Sequence, residues 1–306
     1  MQHSFVALLL VAAVALSAPL MFAALGEVIS ETAGVLNINL EGMMLFGAFA
    51  GVLATYATKS VPLGFVAAAL GGALLAWIHG VICFVFRGNQ VVSGVVLNIF
   101  ALGVTSFLLT TVLAPRVSQS IASVPRIKIP LLSDIPIVGQ GFFNQDFMVY
   151  VAFLLVPAVW WLLNRSTTGL ALKAAGERPN AAESLGVNVG RVRWGALMVC
   201  GLLAGVGGGQ LALAGIGFFT QNMTAGRGFI ALAAVVFGRW RAGGVAVAVL
   251  VFAIADAFQA RAGGLGIHLP YQFLVMLPYL VTLLAVAGLM RGVRGPAFLS
   301  VNYHTD

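Results

Sequence analysis

The sequence predicts an all-α, polytopic membrane protein with about nine (8–10) transmembrane helices, and three observations carry that reading. Only 8% of the 306 residues are charged and 60% are hydrophobic. A soluble domain carries roughly 25% charged residues, so this chain has too few to cover a water-facing surface. The apolar residues fall in continuous runs, and about 20 such residues are needed for a helix to cross a bilayer. The runs do not alternate as barrel strands do. Lipid offers the backbone no hydrogen bonds, so a spanning segment that is not a barrel strand must be a helix.

The predicted spans lie near 5–25, 35–57, 62–86, 91–113, 148–164, 194–216, 224–239, 243–259 and 269–289. The first is preceded by Met1-Gln2-His3-Ser4, which lacks the Lys or Arg of a secretory leader, and is read as an uncleaved membrane helix. Two polar stretches separate the spans. Residues 114–147 contain Pro115, Pro125, Pro130 and Pro136, while 165–193 carry Arg165, Lys173, Arg178, Arg191 and Arg193 against Glu177 and Glu183. Placing 165–193 in the cytoplasm puts ten Lys and Arg inside and six outside, with Arg227 among the six. That asymmetry sets the orientation, because cytoplasmic loops are enriched in basic residues.

The whole chain, 1–306, reads as one transmembrane domain. Its parts are a first repeat at 1–113, an external loop at 114–147, a linking helix at 148–164, a cytoplasmic loop at 165–193 and a second repeat at 194–306. The repeat is suggested by Thr32-Ala33-Gly34, with an apolar run ending at Phe46-Gly47, and by Thr224-Ala225-Gly226, with a run ending at Phe237-Gly238. The two halves would be inverted with respect to one another, as in many transporters. Gly47 with Gly51, Gly201 with Gly205, and Gly205 with Gly209 have the small-xxx-small spacing of closely packed helices.

The net charge of +7 resides in loops between apolar runs, so it is topological and no nucleic-acid partner is expected. Cys83 and Cys200 lie far apart in apolar segments and read as packing residues. The histidines are terminal or isolated, and no metal site is expected. No G-x-x-x-x-G-K-[ST] loop, G-x-S-x-G elbow or H-E-x-x-H pair is present. The chain therefore cannot hydrolyse ATP itself and is not expected to be an enzyme.

The polar groups within or beside the apolar runs are the candidate functional residues, because such groups are costly in lipid. Gly26 to Gly42 places Glu27, Glu31 and Glu41 with Asn37 and Asn39 between two apolar runs. Glu27 and Glu31 read equally as groups facing a cavity or partner and as part of an interfacial cap or a solvated loop before the second span. Asn37, Asn39 and Glu41 read as pathway residues or structural hydrogen-bonding groups. Asn98, Gln210 and Asp256 lie within spans, and Asn89-Gln90 and Gln221-Asn222 at span ends. In the cytoplasmic loop, Pro179 to Leu185 reads as a short helix that starts on a proline and ends before Gly186. Ala181, Ala182 and Leu185 share a face, and a two-turn helix needs a surface to dock on.

Together these segments resemble the ABC permeases of the branched-chain amino acid, ribose and nucleoside type, with the nucleoside or simple-sugar branch the nearest. The residues carrying the resemblance are Gly26-Glu27 through Glu41-Gly42-Met43-Met44, Asn89 to Gly94 with Asn98, Gly169 to Gly186, and Asn222 to Ala233. It implies an importer subunit of the bacterial inner membrane that passes a small polar solute. A nucleoside is the first reading, a ribose-type sugar the alternative, and an ion-coupled carrier using Glu41 or Asp256 the more distant one. It implies a pathway touching Asn37, Asn39, Glu41, Asn98, Asn222 and Thr224. Coupling to an ATPase would run through Glu177, Pro179, Ala181, Ala182, Leu185 and Gly186. The implied partners are a separate ATPase that uses the ATP, a second and different permease chain, and an external substrate-binding lipoprotein. No cofactor is implied for this chain.

The orientation has a direct test. A Ser184→Cys variant on a cysteine-free background is expected to resist membrane-impermeant maleimide in intact cells and to react after permeabilisation. Labelling from the outside would reverse the topology.

Overall fold

The computed structural model describes residues 2–114, 124–128, 130, 133, 138–262, 276, 294–301 and 303. In chain order these form α1 (Gln2–Thr32), α2 (Leu40–Thr58), α3 (Val61–Gly80), α4 (Gln90–Leu108), β1 (Arg126–Lys128), α5 (Val138–Phe143), β2 (Asn144–Asp146), α6 (Phe147–Arg165), α7 (Thr167–Glu177), α8 (Pro179–Ser184), α9 (Val189–Gly209), α10 (Arg227–Phe237) and α11 (Ala242–Ala262). Short π-helical turns extend α3, α4 and α9, at Val81–Val85, Leu109–Leu113 and Gln210–Ile216. β1 and β2 pair antiparallel, with Ile127 opposite Gln145.

Seven helices among the described residues are long and apolar enough to cross a membrane. Two of the nine predicted spans account for the difference. Apart from residue 276, the one near 269–289 lies outside the described residues. The one near 224–239 is not a span: α10 has 11 residues, about 16 Å of helix against a hydrocarbon core of about 30 Å. The first span is longer than predicted, because α1 runs on through Glu27 and Glu31 to Thr32, and the second begins at Leu40 rather than 35.

Sequence-local chemistry places several helix starts. Asn89 accepts from the backbone N–H of Val91 and Val92 at 2.9 and 3.1 Å, and Asn188 accepts from Arg191 at 2.8 Å. Ser166 accepts from Gly169 at 2.9 Å, and Asp146 from Val149 at 3.2 Å. Each side-chain oxygen satisfies an N–H that the helix itself leaves free.

The core is built where α1, α2, α3 and α9 cross. Fully buried Phe22, Leu25, Met43, Met44, Leu75 and Leu197 fill it. Glycine sets how closely the axes approach. A Cβ on Gly47 would lie 2.5 Å from the Gly205 Cα, and one on Gly205 would collide with the Ala68 carbonyl. The predicted small-residue faces are therefore used inside the chain.

The contacts sort the charges to two ends. Gly80 packs on Trp194, and Arg193 reaches Ala33, so the α3–α4, α6–α9 and α1–α2 connections share one end. Arg87, Arg165, Lys173, Arg178, Arg191 and Arg193 lie in or beside these connections, and Arg239 and Arg241 join them through Trp240, which bonds Glu31. Arg126 and Arg261 line one cavity at the opposite end, with Asp146 and Gln210. Arg227 belongs to neither end, against expectation: it opens α10 inside the bundle and pairs with Asp256 at 3.4 Å.

Packing at the α3–α9 crossing can be tested by filling it. Gly205→Val is expected to abolish the monodisperse peak in detergent size-exclusion chromatography. Gly103→Ala, where an added Cβ meets nothing within 4 Å, is expected to leave it unchanged. A wild-type profile for Gly205→Val would refute the close packing.

Candidate functional site

The half-length α10 makes the centre of the molecule unusual. After the π-helical turn ending at Ile216, the chain turns back into the bundle through 217–226 before α10 begins. Non-helical backbone at membrane depth survives only when buried in protein or lining a polar cavity. Here one carboxylate holds it. Glu41 Oε1 accepts from the Thr224 hydroxyl at 2.5 Å and from the Gly226 N–H at 2.8 Å. Glu41 Oε2 accepts from the Gly228 N–H at 2.6 Å. The carboxylate thus caps the N-terminus of α10, where free N–H groups and the helix dipole favour negative charge. Gly228 is required for the approach, since a Cβ there would run into the Glu41 backbone. Asn222, Ala225 and Gly226 have φ of 53°, 46° and 86°. Left-handed backbone is costly for the two that carry a side chain, and the Glu41 bonds on either side of Ala225 fix it.

A second irregular stretch, 33–39, joins α1 to α2 and is held by side chains in the same way. Asn98 on α4 accepts from the Gly42 N–H at 2.7 Å and donates to the Ile38 carbonyl at 2.9 Å. Gln90, two turns earlier on α4, accepts from the Leu36 N–H at 2.9 Å. The Asn37 N–H donates to Glu27 Oε1 at 2.9 Å, and the Cys200 thiol donates to Glu27 Oε2 at 3.2 Å. Glu31, one turn on, accepts from the Trp240 indole N–H at the far end of α10. Glu27 and Glu31 are buried, so they are neither an interfacial cap nor part of a solvated loop.

The predicted pathway residues therefore divide. Asn37, Asn39 and Thr224 are fully buried, Glu41 is nearly so, and Asn98 is half-buried. All five tie backbone segments together or pack against them. Asn222 alone among the six is exposed, with Phe218 and Gln221 on the same turn and Phe229 in the first turn of α10. Gln90 and Glu27 emerge as anchors. Both were visible in the sequence as polar groups beside apolar runs, but nothing local showed which backbone they would meet.

The coupling residues divide as well. α7 ends at Glu177, Arg178 breaks the helix, and α8 follows directly. Pro179 is buried, and Ala182, 3% exposed, packs against Ala175 and Val189 of its own chain. Ala182 does not share an open face with Leu185, as the sequence predicted. The outward face holds Glu177, Ala181, Leu185 and Gly186, with Leu185 85% exposed.

Re-entrant backbone, a capped half-helix and an open aromatic and amide turn sit within a bundle of spanning helices, the architecture of a multi-pass membrane protein. The chain belongs to the family of permease components of branched-chain amino acid transport systems, which matches residues 9–286. It is 40% identical over 270 residues to a Haloferax volcanii protein named as a candidate glucose ABC transporter permease, TsgC13, covering 87% of this chain and 81% of that one. It is 36% identical over 297 residues to the guanosine ABC transporter permease protein NupQ of Bacillus subtilis, covering 94% and 93%. It is also 36% identical over 296 residues to the nucleoside ABC transporter permease protein NupC of Lactococcus lactis, with the same coverage. The latter two organisms each have a further, more distant matching permease, NupP and NupB. No solved structure matches the chain.

Replacing the cap has a defined cost. Glu41→Gln turns one acceptor oxygen into an NH₂ facing N–H or O–H donors that have no other partner. A buried unsatisfied donor costs about 1–3 kcal/mol. The thermal midpoint of the purified protein is expected to fall by several degrees, and an unchanged midpoint would show that Glu41 is not the anchor of α10.

Proposed function

We propose that the chain is the translocation subunit of an ABC importer of the inner (cytoplasmic) membrane, and that its solute is a nucleoside. The observation that carries this reading is the open turn at 217–226. Phe218, Gln221 and Asn222 are exposed on it, beside exposed Phe229 of the half-helix α10, which starts about halfway through the membrane. Polar groups at that depth face a partner or a water-filled path. A second permease chain packed against this surface would enclose the path, and a different chain in that role fits the paired permeases among the relatives. Aromatic rings stack on planar bases, and amides hydrogen-bond to base edges and ribose hydroxyls. A simple sugar is the second reading, favoured by the Haloferax relative, and its hydroxyls would use the same amides.

In this reading ATP is hydrolysed by a separate ATPase, which docks on α7 and α8 at the cytoplasmic end, and an external lipoprotein delivers the solute. Glu177, Ala181, Leu185 and Gly186 form the docking face, while Pro179 and Ala182 hold α8 to its own chain. The inverted repeat belongs here too. It is supported by the two Thr-Ala-Gly triplets, whose glycines Gly34 and Gly226 have φ of 87° and 86°.

Proteoliposomes carrying the complete transporter and loaded with ATP inside are expected to take up labelled guanosine, with excess adenosine competing and excess glucose not. Competition by glucose alone would move the assignment to sugars. Leu185→Arg is expected to abolish co-purification with the ATPase while leaving the folded permease intact. Retained co-purification would remove this face from the interface.

A further inference from the structure

We propose that residues 294–301 and Tyr303, gathered around the Arg193 guanidinium, form a strap that carries movement of α8 to α1 and α10, with Arg193 and Tyr303 as its positioning residues. The proposal rests on α8 meeting the ATPase.

Arg193 sits in the first turns of α9 and is 3% exposed. Its Nε donates to the Ala33 carbonyl just past α1 at 3.1 Å, its Nη2 to the Ala175 carbonyl on α7 at 3.3 Å, and its Nη1 to the Val301 carbonyl at 2.8 Å. Two of these acceptors lie at helix C-termini, where carbonyls are unpaired and the dipole is negative. One planar cation thus ties three chain segments, a geometry that a lysine ammonium cannot reproduce.

The strap adds its own bonds. The Phe298 N–H donates to the Gly176 carbonyl at 2.9 Å, and the Ser300 N–H to the Gly34 carbonyl at 3.2 Å. Gly34 and Gly176 permit the contact: a Cβ on Gly34 would sit 2.8 Å from Arg193 Nη2, and one on Gly176 would strike the Thr32 carbonyl. Tyr303 lies with its ring 5.8 Å from the Arg193 Cζ, and its hydroxyl donates to Glu183 on α8. At the other end of the strap, Gly295 packs on the Trp240 ring, where a Cβ would come within 2.9 Å.

Trp240 continues the path. Its indole bonds Glu31 on α1, and it follows α10, whose opposite end is the Glu41 cap beside the open turn. A displacement of α8 therefore has a contiguous route of hydrogen bonds, the Gly295–Trp240 packing contact and one half-helix to the centre of the bundle. Six-residue α8 has little internal stability, so its position is set by these contacts.

A contiguous route is not itself coupling, and coupling is measured by a mutant cycle. The complete transporter would be reconstituted as wild type, Tyr303→Phe, Glu183→Gln and the double variant. ATP hydrolysis and guanosine uptake would be measured together. Tyr303→Phe is expected to assemble normally and keep basal hydrolysis. Its uptake per ATP is expected to fall by about twofold to thirtyfold, the range typical of coupling changes. The double variant is expected to lose no more than the worse single, and Arg193→Lys to behave alike where it assembles. Wild-type uptake per ATP in Tyr303→Phe, additive losses, or a loss that only tracks the amount of assembled complex would each overturn the strap. Failure of the wild-type chain to co-purify with the ATPase would instead overturn the importer reading.

Discussion

Inside a bilayer, irregular backbone has no water to bond, and this protein contains two such stretches in its core. Everything distinctive in the fold follows from how they are satisfied. The turn before α10 is held by both oxygens of Glu41, and the α1–α2 connection by Gln90, Asn98 and Glu27. Once those side chains are committed, α10 can begin midway through the membrane. The exposed turn that precedes it is the surface that the proposed function assigns to the solute.

The anchors work because the helices around them sit close together. Glycine at the crossings of α2, α3 and α9 brings backbones into direct contact, and long side chains would hold them apart. Close packing positions Glu41 within reach of donors that lie more than 180 residues later in the chain. Small-residue interfaces thus position the site as well as stabilising the bundle.

At the end where the basic residues gather, the same economy recurs with the opposite charge. A single buried arginine gathers three carbonyls from α1, α7 and the strap. The ends of α1, α7, α9 and α10 meet there, next to α8. Movement at the proposed ATPase-facing helix is therefore applied to elements that also reach the open turn.

The sequence by itself determined that the chain lives in lipid, because its composition leaves no alternative. It also determined most spans, since apolar runs of spanning length are local signals. Helix starts at Asn89, Ser166 and Asn188 were equally local, a side-chain oxygen bonding N–H groups two or three residues on. It marked the polar groups that matter, from Glu27 to Glu41 and from Asn222 to Thr224, because polar residues in apolar surroundings must have partners. Only the tertiary structure decided what each of them does. Asn222 and Thr224 are two residues apart, yet one is open and the other sealed against Glu41. Ala182 and Leu185 fit one helical face on paper, but Ala182 turns inward because α7 packs beside it. The run at 224–239 has nearly the hydropathy of a span but begins at mid-depth, because the anchor that starts α10 lies on α2. Partnerships across such separations leave no periodic trace along the chain, so they become visible only when the helices are packed.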